Sequence, residues 1–394
     1  MALANVINSA LIWPLAIRVL KTLREEAGIL SGLQHDFDPA PAMVGETVTV
    51  GMAPPLAVGS VVPAPYLAAF PSDMTFKYQQ ISLANWDKAE FALSSRDCAK
   101  IRMGEWVPQQ IAQAVRTVLN SMRAKCLTAL LGVNGVSHSA QTTGFFNATD
   151  GINGLIDARA ILARQLAPQG GRRMLVVDPL EEANALKLDQ FLKAYAAGDA
   201  NAFRNGSTGR VLGFEFIVDN STSFPVSRTN GADNGAYVLN GAHAAGTTDL
   251  VLITGANTIL AGDHVEITDA TTGSKYTYAV KTGIAAPGTL VINEPGLMVA
   301  NATASTCIVV GTASVVNKIA GYAFDPNCLM LVSRTPTTPD VQLGTSQVVT
   351  DPLTGLSLKI AIIPGDEAQI FRVSALYGVG LVDPRLGVRL TYSV

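Results

Sequence analysis

An α+β body carrying a separate all-β insert is the fold class this 394-residue sequence predicts. Three observations predict it. The first is a helical pattern over residues 106–131, with Ile111, Val115, Val118, Met122, Cys126 and Ala129 on one face. The second is the closing stretch, where β-like runs at 370–379 and 388–392 flank a turn at Asp383-Pro384. The third is a break in composition. From Arg228 to Asn317, ninety residues hold eleven Gly and fourteen Thr, and three Lys or Arg face six Asp or Glu. Short β-runs spaced by Gly and Asn indicate a small barrel or sandwich set into a body whose texture resumes at Gly321.

Residues 2–30 carry Val6, Ala10, Ile17, Leu20 and Leu23 at helical spacing, with a kink expected at Pro14 and a stop at Gly28. Residues 36–93 change character. Thr47 to Gly51 and Thr75 to Tyr78 alternate, and between them Pro54, Pro55, Pro63 and Pro65 forbid a helix. This predicts two long strands joined by a Pro-rich tip, with a third extended run at 88–93. Pro108 suits the first turn of the 106–131 helix, and Gly132 ends it. A second helix is expected over 154–166. Arg172 to Val177 reads as a strand whose apolar core, Met174 to Val177, implies burial on both sides. A third helix is expected over 180–197, then a Gly-rich turn at 205–209 and a strand over 210–218. Within the insert, six β-runs fall at 236–239, 250–254, 264–268, 275–280, 289–293 and 307–310.

Only 15% of residues are charged, against about 25% in ordinary soluble proteins, while 48% are hydrophobic and the mean hydropathy is +0.28. The longest apolar run, Ala10 to Ile17, holds Pro14 and stops at Arg18. That is far short of the roughly 20 residues a spanning helix needs, so the composition points to a subunit that hides surface against copies of itself. No signal peptide is expected, because no basic stretch precedes this run and no small-residue cleavage site follows it. The formal net charge is −3 and no basic stripe is visible, so any contact with DNA is expected to be loose and non-specific. Cys98, Cys126, Cys307 and Cys328 form no CxxC pair and read as buried, reduced thiols.

Taken in order, these parts resemble the major capsid (coat) proteins of tailed bacteriophages with the Hong Kong 97-type fold. The resemblance runs through Gly45-Glu-Thr-Val-Thr-Val, Arg173-Met-Leu-Val-Val, Gly209-Arg-Val-Leu-Gly-Phe-Glu-Phe, the return run Gly321-Tyr-Ala-Phe-Asp-Pro, and the closing Leu376-Tyr-Gly-Val with Asp383-Pro-Arg-Leu-Gly-Val-Arg-Leu. Asp325 stands where that family commonly has histidine. The insert, with Gly262-Asp263 and Gly288-Thr-Leu-Val-Ile-Asn, resembles the I domain of the phage P-22 coat-protein branch. The resemblance implies an N-terminal arm (1–35), an extended E-loop (36–93) and a peripheral domain (94–173) with its spine helix at 106–131. It further implies a first part of the axial domain (174–227), a β-barrel-like I domain (228–317), and axial and peripheral return strands (318–394).

What that resemblance implies for function is self-assembly into hexamers and pentamers of an icosahedral shell around double-stranded DNA. It implies portal and scaffolding partners, decoration proteins as further candidates, no membrane, and a place in the virion after assembly in the host bacterial cytoplasm. No catalytic, cofactor-binding or metal-binding residue is expected. HExxH, GxSxG and GxxxxGK[ST] are absent, and Gly378-Val-Gly380 lacks the third glycine of a dinucleotide motif. His35-Asp36 with Asp38 reads as a polar turn rather than a metal site, and His138, His243 and His264 are scattered. Lys77 and Lys88 read as solvating an exposed hairpin rather than as partners in a covalent cross-link. Arg172-Arg173 fits either contact with DNA or a neighbour's carboxylate, or solvated charge at a strand start. Two other readings predict different features. A tail-tube or decoration protein would lack the long helix, and an α/β enzyme with a carbohydrate-binding insert would need convergent acids or a nucleophile.

Overall fold

The computed structural model describes residues 15–52, 77–102, 109–192, 209–219, 227–229, 237–255, 258–310, 316–336, 345–351, 355–365 and 368–393. A helix over residues 15–25, here α1, leads through a short 3-10 turn into the first sheet. That sheet is ordered β1 (Gln34–Ala42), β17 (Leu329–Pro336), β20 (Ala368–Leu381), β19 (Ser357–Pro364) and β18 (Thr345–Thr350), and β4 (Asn85–Ser94) lies along the other edge of β20. The length of β20 explains the pattern. Its first half pairs with β19, its second half with β17, and its free edge takes β4 over ten register positions.

Helices α2 (Ser95–Arg102) and α3 (Gln109–Ala129) follow β4. On α3 the expected stripe is the buried one: Ile111, Val115, Val118, Met122 and Cys126 are all within 1% of full burial. They pack with Leu15, Val19 and Leu23 of α1 and with Leu358, Ile360, Phe371, Val373 and Tyr377 of the first sheet. A polar knot ties α3 to the chain that follows α1 and to Asp219. Arg123 of α3, itself buried, lies 3.9 Å from Glu26 and 4.0 Å from Asp219, and Arg116 donates to Glu26 at 3.0 Å. On the far side of α1, Arg24 donates twice to the buried Asp351, at 2.9 and 3.1 Å.

The second sheet runs β5 (Gly135–Ser139), β21 (Gly387–Ser393), β16 (Val316–Phe324), β6 (Arg173–Val177), β8 (Phe214–Val218) and β7 (Arg210–Val211), with β9 (Ser227–Thr229) paired to the start of β16. The central strand β6 buries both faces, as its apolar run predicts. Met174 and Val176 enter the core around α3, whereas Leu175 and Val177 enter a second core. That second core lies under α4 (Asn153–Arg164) and α5 (Pro179–Leu186), through Leu155, Ala158, Leu162 and Ala185.

Between β9 and β16 the chain builds a closed barrel, ordered β10 (Tyr237–Leu239), β11 (Asp249–Ile253), β14 (Thr289–Ile292), β13 (Lys275–Thr282), β12 (His264–Thr268) and β15 (Thr306–Val309). Alternation fills it: Tyr237, Leu250, Leu252, Val265, Ile267, Tyr278, Leu290 and Cys307 point inward and form their own core. The ladder closes because β15 pairs with both β10 and β12, so no strand edge is left open in the barrel wall.

Several sequence expectations change in detail. The strand-paired hairpin consists of β2 (Thr47–Met52) and β3 (Lys77–Ser82) alone. The segments 36–42 and 85–94, expected to belong with it, are strands of the first sheet. Their alternation is the same whichever sheet they join, so local pattern could not assign them. His35, Asp36 and Asp38 accordingly lie in a strand parallel to β17 rather than in a turn. The third helix ends at Leu186, and a short helix α6 (Asp189–Leu192) follows a break at Lys187 and Leu188. Arg228 and Asn317, expected within the insert, pair with each other in the second sheet. The return run that begins at Gly321 leaves the second sheet at a 3-10 turn, Pro326–Cys328, and continues as β17 in the first sheet. Asp325 caps that turn, accepting from the Asn327 backbone N–H at 3.0 Å. The Pro-rich tip, and Pro108 at the start of the long helix, lie outside the described residues.

Candidate functional site

No group of three or more His, Cys, Asp or Glu side chains among the described residues could hold a metal ion. His35 is used in the fold: its Nε2 lies 2.7 Å from the Leu30 carbonyl, and burial pushes the ring below the usual histidine range. Asp36 binds Arg334 at 2.7 Å. The four cysteines are buried and form no disulfide, and burial pushes the Cys126 and Cys328 thiols far up, away from reactivity. Lys88 is exposed and pairs with Glu90 at 3.1 Å. The side chain of Lys77 lies outside the described residues. Gly378 and Gly380 lie mid-strand in β20 against Ser82 and Ile81 of the hairpin, where no phosphate-binding turn exists.

Arg172 and Arg173 part company. Arg172 pairs with Glu215 on the neighbouring strand β8. Arg173 is buried and donates to the carbonyls of Ala167 and Pro168 at 3.0 to 3.2 Å. Both line a cleft of about 740 Å³ together with Arg210, Glu182 and Glu215. Three cations there face two carboxylates and are already bonded in the chain, so the cleft lacks the unpaired positive stripe that grips a phosphate backbone.

The surfaces that stand out are strand surfaces. The β2–β3 hairpin pairs only with itself among the described residues, and each strand keeps one unpaired edge. Its root is fastened by Ile81 and Leu83 to Met330, Val332 and Leu376 of the first sheet. The hairpin carries exposed apolar side chains at both levels: Met43 and Val44, beside the root, are 65% and 52% exposed and Tyr78, further out, is 65% exposed, whereas Met52 is buried. On the barrel, Val251, Ile253 and Ile308 point outward from β11 and β15 and are 37–42% exposed. Such apolar edges and faces are costly on a free monomer and normal on a subunit. Sequence reasoning found the hairpin through its prolines. It missed the apolar outer face of the barrel, although the alternation Leu250-Val251-Leu252-Ile253, with apolar residues at every position, was the available signal.

No protein-family model matches the chain, and no curated protein matches it. Solved structures do. The capsid structure of the cyanophage P-SCSP1u aligns over 93% of this chain and 88% of its own, with a TM-score of 0.50 at 11% identity. The chain shares the fold of a phage capsid subunit. The capsid of a native GTA particle (TM-score 0.46, 12% identity, 95% and 91% covered) and the bacteriophage PhiM1 mature capsid (TM-score 0.46, 12% identity, 91% and 85% covered) are also similar. At this identity the likeness speaks to architecture. What is shared is a mixed α+β architecture with many strands and few helices.

Proposed function

We propose that the chain is the major capsid protein of a tailed phage, a Hong Kong 97-type subunit that tiles into the shell around double-stranded DNA. The observation that carries this is the hairpin fastened at its root and unpaired along both edges, on a body built around one long helix and one long strand. A lone protein would cover such edges. A shell subunit would lay them on its neighbours, and a chain with 15% charged residues loses little by desolvating that surface. In this reading residues 1–35 are the arm, the reaching E-loop is the 47–82 part of the segment 36–93, whose two ends join the first sheet, and α3 is the spine. The first sheet serves the peripheral domain, the second sheet the axial domain, and the barrel is an inserted I domain. The role is structural, with no catalytic step. Portal, scaffolding and decoration proteins would be its partners, contact with DNA would be loose, and assembly would take place in the host bacterial cytoplasm.

Deleting residues 54–65 tests the reading. Leu56, Val58, Val61 and Val62 in that stretch sit among four prolines, so the tip cannot complete a ladder in its own subunit. The deletion is expected to leave the subunit's melting temperature within about 3 °C, the size of an effect under roughly 1 kcal/mol, and to abolish fast-sedimenting particles. A much lower melting temperature would assign the tip to the subunit's own core. Normal particles would refute its role in the interface.

A further inference from the structure

The barrel meets the body through β12, β13 and the chain that follows β14. Val265 and Ile267 of β12 point into the barrel core, so His264 points out, and there it is 1% exposed. Its Nε2 lies 2.6 Å from the Val133 carbonyl oxygen and its Nδ1 lies 2.7 Å from Nη2 of Arg389 on β21. A carbonyl only accepts and a guanidinium only donates. The ring is therefore neutral, with its proton on Nε2 and the Nδ1 lone pair taken by Arg389. A second proton would set donor against donor and cation against cation in a buried junction.

The other bonds across the junction do not titrate near neutrality. The Ala279 N–H donates to Asn134 Oδ1 at 3.3 Å, Asn293 Nδ2 donates to the Gly132 carbonyl at 2.9 Å, and Gln165 Nε2 donates to Thr277 Oγ1 at 3.5 Å. The titratable groups nearby are few. Asp263 accepts from the Leu260 N–H at 2.8 Å within the barrel. Lys281 and Glu294 line an adjacent cleft, and Asp383 is paired with Arg385 at 2.7 Å. Tyr322 of β16 feels the charge of Arg389 and is held far up by burial. His138 of β5 sits 3.1 Å from Thr391 and 3.3 Å from Ser393 on β21.

We propose that His264 is an acid-sensitive latch between barrel and body: neutral, it closes the junction onto Arg389 and Val133; protonated, it releases Arg389 and the barrel loosens. The closed junction excludes the proton and the open one admits it. Closure is therefore at full strength above the ordinary histidine value of about 6.5 and weakens by up to about tenfold per pH unit below it. This inference stands on the junction itself and does not depend on the capsid reading.

Hydrogen exchange on the full chain at pH 7.5 and 5.5, corrected for intrinsic rates, reads the latch at the Ala279 amide. The expected result is an approximately tenfold loss of protection at pH 5.5, with amides inside the barrel wall unchanged. His264→Gln can present an N–H to Val133 and a carbonyl to Arg389 without titrating, and it should abolish the loss. Equal protection of Ala279 at both pH values would overturn the latch. An equal loss in His264→Gln would also overturn it, by assigning the effect to His138 or a carboxylate. Should that variant not fold, C2–H exchange of His264 in the wild-type chain decides. A midpoint near 6.5 while Ala279 stays protected contradicts the latch, and protonation that tracks Ala279 opening supports it.

Discussion

Two positions show how single residues hold this fold. Gly321 sits in β16 between β6 and β21, next to the register shift at Ile319, and a Cβ there would run into the Val176 carbonyl oxygen. Backbone cannot give way as a side-chain tip can. Gly321→Ala is expected to cost about 1–3 kcal/mol, read as a lower denaturation midpoint with an unchanged slope; an unchanged midpoint would contradict this packing. Glu181 is buried beneath Phe145 and Phe146 and accepts from both of their N–H groups, at 3.0 and 3.3 Å. Burial outweighs those bonds and holds its carboxyl above the usual range. The folded state therefore binds this proton more tightly than the unfolded one. The contribution is whole below the unfolded value of about 4.3 and is lost as pH rises through the raised folded value. The stability of wild type relative to Glu181→Gln should accordingly fall between pH 4 and pH 7, as followed by thermal melting. A difference that rises with pH would show that the backbone donors win instead.

Elements were legible in the sequence to the extent that their signal is local. All six barrel strands fall where short alternating runs bounded by Gly and Asn place them, and α3 follows from its 3.6-residue stripe. What was not legible is partnership. Residues 85–94 alternate equally well as a hairpin strand or as the partner of β20, and only the long free edge of β20 decides. The His264–Arg389 contact spans 125 residues and leaves no periodic trace. The closed ladder and private core of the barrel carry a prediction of their own. A fragment spanning residues 230–316 should fold alone and give dispersed amide resonances, because its wall has no open edge and its core residues pack on one another. A random-coil spectrum would mean that the body is needed to close it. His264 would become solvated in that fragment, so it should fold without the acid sensitivity proposed for the whole chain.

At the scale of the whole molecule, the described residues form four hydrophobic clusters, one of them under the root of a self-paired hairpin, and charge is sparse. Burial holds the chain together, and in the proposed capsid reading the leftover strand edges and apolar faces are what it would offer to copies of itself. Heterologous contacts between copies generate closed assemblies when the geometry closes. The candidate interface was only half legible because a surface that needs a neighbour has no partner in its own sequence to reveal it. The most direct measurement is negative-stain electron microscopy of the full-length protein, expressed alone and with the portal and scaffolding proteins that the capsid reading calls for. The account predicts closed, uniform, megadalton shells in at least one of these preparations. A chain that stays monomeric in all of them would contradict it.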